Sequence, residues 1–353
     1  MFSFENAGRS LGQIVRVVLL LAAGSASFAD EISTDDLLAA AAASNERIVT
    51  FSCTARDYVR TDDDEFPWTK DLAKNKATSA SDGLALSSEC QVLCDRPNAR
   101  LRCEGRNFTI PKDDEPDWTD FLGAYDGTLF RRYFLSNNLG LQIPYHGQLN
   151  GRHALHTLLG DGIGGHGFDD GDLLDWLRRR DGQWKREEPD PDGNPQLSRL
   201  YRTKAQAVDM RLVVTLAAKF GHLPKRIETY WMDTGTLCEA YDVSEFWRIP
   251  GEQSWVPVKG VTQAYYREAV FPNGVTLEQY QRMTRAEKKA IDRRVGWTAR
   301  HLGPRRTLVI DKETLKLNLP VTVQDFSITF PPDAKIYDEA GNKVLPVGER
   351  PRN

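Results

Sequence analysis

The residues best suited to chemistry lie together between positions 153 and 172, where the chain reads HALHTLLGDGIGGHGFDDGD. Gly160, Gly162 and Gly165 have the G-x-G-x-x-G spacing that lets backbone amides wrap a dinucleotide pyrophosphate. His153 and His156, three residues apart, would share one face of a helix. With His166 or Asp169 they would form a zinc-like ligand set, and Asp170 and Asp172 add further oxygens.

Each of these chemistries needs a context that the neighbouring residues do not supply. A pyrophosphate loop follows a buried strand, opens a helix and is followed about 20 residues later by an acid. Here HALHTLL is at most a short helix, and the aspartates after Gly165 would repel phosphate. A metal hydrolase would carry H-E-x-x-H or a general base beside the ligands, and neither occurs. There is no G-x-S-x-G elbow, and no cysteine lies close to a histidine in sequence. Acidic groups such as Glu187-Glu188 and Asp62-Asp63-Asp64 sit in polar loops, where solvation is their ordinary role. The expectation is a non-enzymatic protein with no cofactor and no metal. A metal-dependent hydrolase using His153, His156 and His166 ranks last among the readings carried forward.

Composition narrows the class further. Among 353 residues, 46 Lys and Arg face 50 Asp and Glu, a formal net charge of −4. That balance lacks the basic footprint of a nucleic-acid binder, so no nucleic acid is expected. Arg9 and Arg16, the apolar run Val17–Ala23 and Ser27-Phe28-Ala29 have the order of an export signal over residues 1–29. The expected location is therefore the periplasm or the medium outside the cell. Five cysteines leave one unpaired at least. Cys90 and Cys94 would share a strand face about 13 Å apart, too far to bridge each other. Cys53 could pair with one of them, or all could be buried free thiols.

The elements that must position any site are mostly strands. A short helix opens at Asp35-Asp36. IVTFSCTARDYVR (48–60) alternates Val49, Phe51, Cys53 and Ala55 on one face. ECQVLC and RLRCEG flank Arg96-Pro97-Asn98 as a hairpin, and Asp126-Gly127 starts a second one over 123–137. Residues 61–88 read as a polar loop. From Met210 strands follow one another, interrupted by a charged helical stretch at 276–300, and TLVIDKETLKLNLP and DFSITFPPDAKIYDE return to β. Strands do not alternate with crossover helices, so a doubly wound sheet is disfavoured. The expected fold is mainly β (α+β): a strongly bent antiparallel sheet with a few short helices.

VLCDRPNARLRC, YDGTLFRRY and FSITFPPDAKIYDE, in that order along the chain, resemble three β segments of the periplasmic lipoprotein carrier family, the Lol-type carriers with their lipid-binding and sigma-regulator relatives. The resemblance covers the β framework of about half the chain. It implies that the bent sheet forms an unclosed β-barrel with short helices covering its concave face, a single half-barrel domain over 30–348 with a tail at 349–353 and extra segments at 56–88, 185–205 and 270–306. The arginine of that family's first hairpin corresponds to Arg100 or Arg102. ALHTLLGDG would be one lid helix, with Gly160 ending it, and DLLDWLRRR a second. The implied ligand is an acyl chain of a lipoprotein or lipid, with a membrane-associated protein as a further partner and a monomer as the expected state. Strand alternation and helical spacing nominate Phe51, Leu129, Tyr133, Leu155, Leu158, Leu159 and Trp176 as the residues lining the hollow. The competing reading is a sensor or interaction module on the same sheet with its hollow filled.

Overall fold

Ser33 caps helix α1 (Thr34–Glu46). Its Oγ accepts from the Asp36 N–H at 3.1 Å, and Asp35 and Asp36 place negative charge on the first turn. At the other end Arg96 Nη1 donates to the carbonyls of Asn45 (2.7 Å) and Ile48 (3.0 Å), so the first hairpin also holds the helix. Leu37, Leu38, Ala41 and Ala42 form its buried face. The computed structural model describes residues 32–61, 66, 69–70, 72, 83–109, 117–144, 173–178, 183–202, 209–252, 254–292, 294–338 and 343–345. Leu155, Leu158 and Leu159, the glycine-rich stretch with its histidines, and the export-signal residues lie outside that set.

β1 (Thr50–Arg60), β2 (Leu84–Asp95), β3 (Arg100–Thr109), β4 (Asp117–Tyr125), β5 (Leu129–Phe134) and β6 (Leu139–Pro144) form an antiparallel meander. After helix α2 (Leu173–Arg178) comes a second run: β7 (Trp184–Glu187), β8 (Gln196–Arg202), β9 (Asp209–Ala217), β10 (Leu223–Trp231), β11 (Leu237–Arg248) and β12 (Trp255–Val270). Helices α3 (Leu277–Arg282) and α4 (Arg285–Asp292) lead to β13 (Gly296–His301), β14 (Arg306–Ile310), β15 (Lys316–Leu317), β16 (Lys335–Asp338) and β17 (Lys343–Leu345). Strand β14 joins the two runs, pairing with β1 on one side and β12 on the other. One end of the sheet is β7. At the other, β16 pairs in parallel with β6 and carries β17, and these ends do not meet.

In sheet order, each strand from β4 by way of β1 and β14 through to β8 adds inner side chains to one continuous core cluster that α1 and α2 also join, and the sheet bends around it. Register shifts at Asp57/Tyr58, at Pro224/Arg226 and between Val243 and Phe246 supply local bends. Leu173, Leu174, Trp176 and Leu177 of α2 pack with α1 into the concave side. The result is mainly β, as the strand pattern predicts, and an unclosed barrel with short helices on its inner face, as the resemblance implies.

Three segments depart from expectation. Strand β2 already starts at Leu84, inside the stretch expected to be loop. The 276–300 stretch is not one helix. It divides where Met283 turns extended (φ −71°, ψ 152°), with a capping box at Thr276 and Thr284 receiving the Glu287 N–H. The two short helices tip the β12–β13 hairpin, and none of the described residues from 261 to 303 is buried. Finally, DFSITF is not a strand of the sheet. Phe326 and Ile328 do turn inward, but Asp325 and Phe326 end a 3-10 turn (Val323–Phe326) and the chain is then irregular until β16 begins at Lys335. It straps the outer face instead, with the Arg102 guanidinium donating to the Asp325 carbonyl (3.4 Å) and Asn138 Nδ2 to Asp333 (2.9 Å).

Candidate functional site

Directly opposed residues of neighbouring strands share a face, so the register sorts every side chain into inner or outer. On β3 and β4 the inner residues include Leu101, Cys103, Phe121 and Tyr125, all members of the core. Their partners on β5 are Phe130 opposite Tyr125, Arg132 opposite Gly123, and Phe134 opposite Phe121. Those in turn face Ile143, Leu141 and Leu139 on β6. Phe130, Phe134, Leu139, Leu141 and Ile143 are all half-buried. The inner face of β5 and β6 is thus an apolar wall that the core leaves partly open.

The Asp126-Gly127 turn sets this wall. Gly127 takes φ +103°, which an L side chain resists. Burial pushes the Asp126 carboxyl up. Hydrogen bonds from the Leu129 N–H (2.9 Å), from Thr128 and from Arg131 Nη1 (2.9 Å) outweigh that and hold it below its ordinary value. From outside, Phe330 seats on Gly140, where a Cβ would lie 2.9 Å from its ring, and meets Tyr133 at 6.3 Å between centroids.

One charge stands in the wall. The Arg132 guanidinium carbon lies 4.8 Å from the Phe121 ring centre and 4.7 Å from that of Phe134. Its Nε is buried with no hydrogen-bond partner among the described residues. The Asn107 amide, turned so that its nitrogen faces Ser88 Oγ, accepts from Arg132 Nη2 at 3.2 Å. Burial pulls the guanidinium below its ordinary pKa, with Cys103 opposing weakly, and it remains a cation at neutral pH.

The nominated residues divide. Phe51 and Trp176 are buried members of the shared core; Trp176 packs edge-on to Tyr201 (4.9 Å) beneath the Arg199 guanidinium (4.8 Å). Leu129 and Tyr133 require correction: the register puts them on the outer face, with Tyr133 opposite Leu122 and Gly140. Arg100 and Arg102 also point outward, bonding the carbonyls of Asp126 and Asp325. The arginine that faces inward comes from the second hairpin. LFRRYF offers an apolar pair and an arginine to either face, so alternation within it could not choose between them.

All five cysteines are buried, and none is joined in a disulfide. Cys53 lies opposite Val92 rather than a cysteine, which leaves Cys90 and Cys94 at diagonal positions. Burial raises the Cys53 and Cys103 thiols and pushes Cys90 up to about 12, so none is a ready nucleophile. Among the described residues no group of three or more His, Cys, Asp or Glu could hold a metal ion. No described helix is long and apolar enough to cross a membrane.

No protein-family model matches the chain. No characterised protein matches it in sequence. Solved structures similar to it do exist. One is a DUF1329 family protein from Desulfovibrio piger, 12% identical, with 83% of this chain and 95% of that one covered at a TM-score of 0.41. Another is an uncharacterized conserved protein from Thermus thermophilus, 10% identical, covering 87% of this chain and 100% of that one at a TM-score of 0.29. The architecture described above rests on the strand register and not on these likenesses.

Proposed function

We propose that the protein is an exported, non-enzymatic binding protein of the lipoprotein-carrier type that shelters acyl chains against the inner wall of β5 and β6. The observation that carries this reading is the half-burial of Phe130, Phe134, Leu139, Leu141 and Ile143 on a face that is otherwise core. An acyl chain laid along such a wall gains about 0.8 kcal/mol for each CH₂ it buries. The three carrier-like segments and the export-signal pattern at Arg9–Ala29 support the same reading. Its ligand is a lipid or the acyl chains of a lipoprotein, delivered to or from a membrane-associated partner.

A filled interaction module is the second reading, and the packing of α1 and α2 into the concave side favours it. Native mass spectrometry of freshly purified protein separates the two. Acyl-bearing adducts that extract with organic solvent and rebind on adding oleate are the expected result. Bare protein that takes up no oleate would favour the filled module.

A further inference from the structure

Several arginines in this molecule lie over aromatic rings, and they differ in what their guanidinium groups meet. Arg106, over Trp118, bridges to Glu89 at 3.2 Å. Arg199, over Trp176 and Trp184, is the nearest parallel, donating to the neutral Gln183 Oε1 at 2.9 Å with its Nε buried, but it lies within the filled core and not on the open wall. Arg267, between Trp231 and Trp297, pairs with Asp233. Arg131, next in sequence to Arg132, pairs with Asp126 at 2.9 Å on the outer face. Arg132 has no acidic partner among the described residues, and its best neutral partner is a single amide oxygen.

A half-desolvated cation without a counter-ion is costly to maintain in an apolar surface. Methionine or leucine would fill the same position between Phe121 and Phe134 without that cost. A guanidinium there is suited to one task that an aliphatic side chain cannot perform: forked hydrogen bonding to a planar or tetrahedral oxyanion. Its flanks decide what kind of oxyanion. Leu141 lies directly opposite on β6, Phe130 and Phe134 lie two residues away on either side, and Ile143 and Leu139 extend the apolar row. A small hydrophilic anion would find one fork and no other polar partner. An anion attached to a hydrocarbon chain would use both the fork and the wall.

We propose that Arg132 is a headgroup clamp, holding the carboxylate or phosphate of a single acyl amphiphile whose chain lies along the inner face of β5 and β6. The clamp rests on the acyl-binding reading above and narrows it to anionic ligands.

The test compares matched amphiphiles on delipidated full-length protein by titration calorimetry: oleate against oleyl alcohol, and oleoyl lysophosphatidate against monoolein. Oleate and lysophosphatidate are expected to bind at least about tenfold tighter than their neutral counterparts, the size of one desolvated charge-assisted contact. Which anion binds tighter assigns the headgroup. Arg132→Gln should abolish the preference of each anion over its neutral counterpart, and Arg132→Lys should keep part of it. Equal binding of oleate and oleyl alcohol by the wild-type protein would overturn the clamp alone. So would a full preference retained in Arg132→Gln. Failure of all four amphiphiles to bind would overturn the acyl-binding reading with it. The wild-type comparison decides the matter even if Arg132→Gln does not fold.

Discussion

Between β8 and β12 the inner face buries Leu197, Val214, Ile227 and Tyr241 against α1 and α2, whereas on β5 and β6 the inner-facing Phe130, Phe134, Leu141 and Ile143 remain partly exposed. The same sheet thus has a filled end and an open wall. The filled end needs no special backbone device, because burial on that scale fixes the strands. The open wall is held from elsewhere, by the hydrogen-bonded Asp126-Gly127 turn, the Phe330 contact on Gly140, and the irregular strap that crosses the outer face. A surface meant to stay open cannot depend on its own inner packing for rigidity, and this one is braced from behind.

The largest expected effect breaks that contrast at its filled end. Trp176→Ala removes a buried indole from the junction of α2 with Tyr201 and Arg199, and should cost about 3–5 kcal/mol in urea unfolding. Phe134→Ala, on the open wall, should cost only about 1 kcal/mol, because that ring is already partly solvated. It should, however, weaken oleate binding. Equal losses of stability would mean that the wall is ordinary core.

Much of the filled end was legible in the sequence. Phe51, Cys53 and Ala55 alternate into the core as their spacing predicts, while Val49, expected on the same face, precedes the strand and is exposed; Leu173, Leu174, Trp176 and Leu177 form the buried helix face. The curl was legible only as a family likeness, since bulges at Asp57 and near Glu245 depend on pairing partners far away in the chain. The site was the least legible part. In LFRRYF the two faces have nearly the same composition, and the choice between them is made by Phe121 and Tyr125 on the neighbouring strand. The alternation in FSITF was real, but it describes a strap packed on the sheet and not a strand within it.

A smaller effect tests the brace. Asp126 is depressed below its ordinary value in the fold, so its contribution is present above the normal carboxylate range and is lost as pH falls through the lowered value. Asp126→Asn keeps an acceptor for the Thr128 and Leu129 amides but removes the charge that holds Arg131. It should destabilise by about 1–2 kcal/mol at neutral pH, discounted for partial exposure. Mutant and wild-type stabilities should converge in acid. A gap that persists unchanged at acidic pH would show that the carboxylate charge is not what sets the turn.

The smallest effect concerns whether the filled end is dry. Tyr241 is wholly buried, and its hydroxyl has no hydrogen-bond partner among the described residues. Burial, with Asp242 adding to it, pushes the phenol well above its ordinary pKa, so it remains neutral. An unsatisfied hydroxyl in packed surroundings is a net cost, and Tyr241→Phe keeps the ring while deleting it. The substitution should raise stability by about 0.5–1 kcal/mol. A loss of stability would instead place an ordered water beside Tyr241, and the filled end would then share the solvent access that distinguishes the wall of β5 and β6.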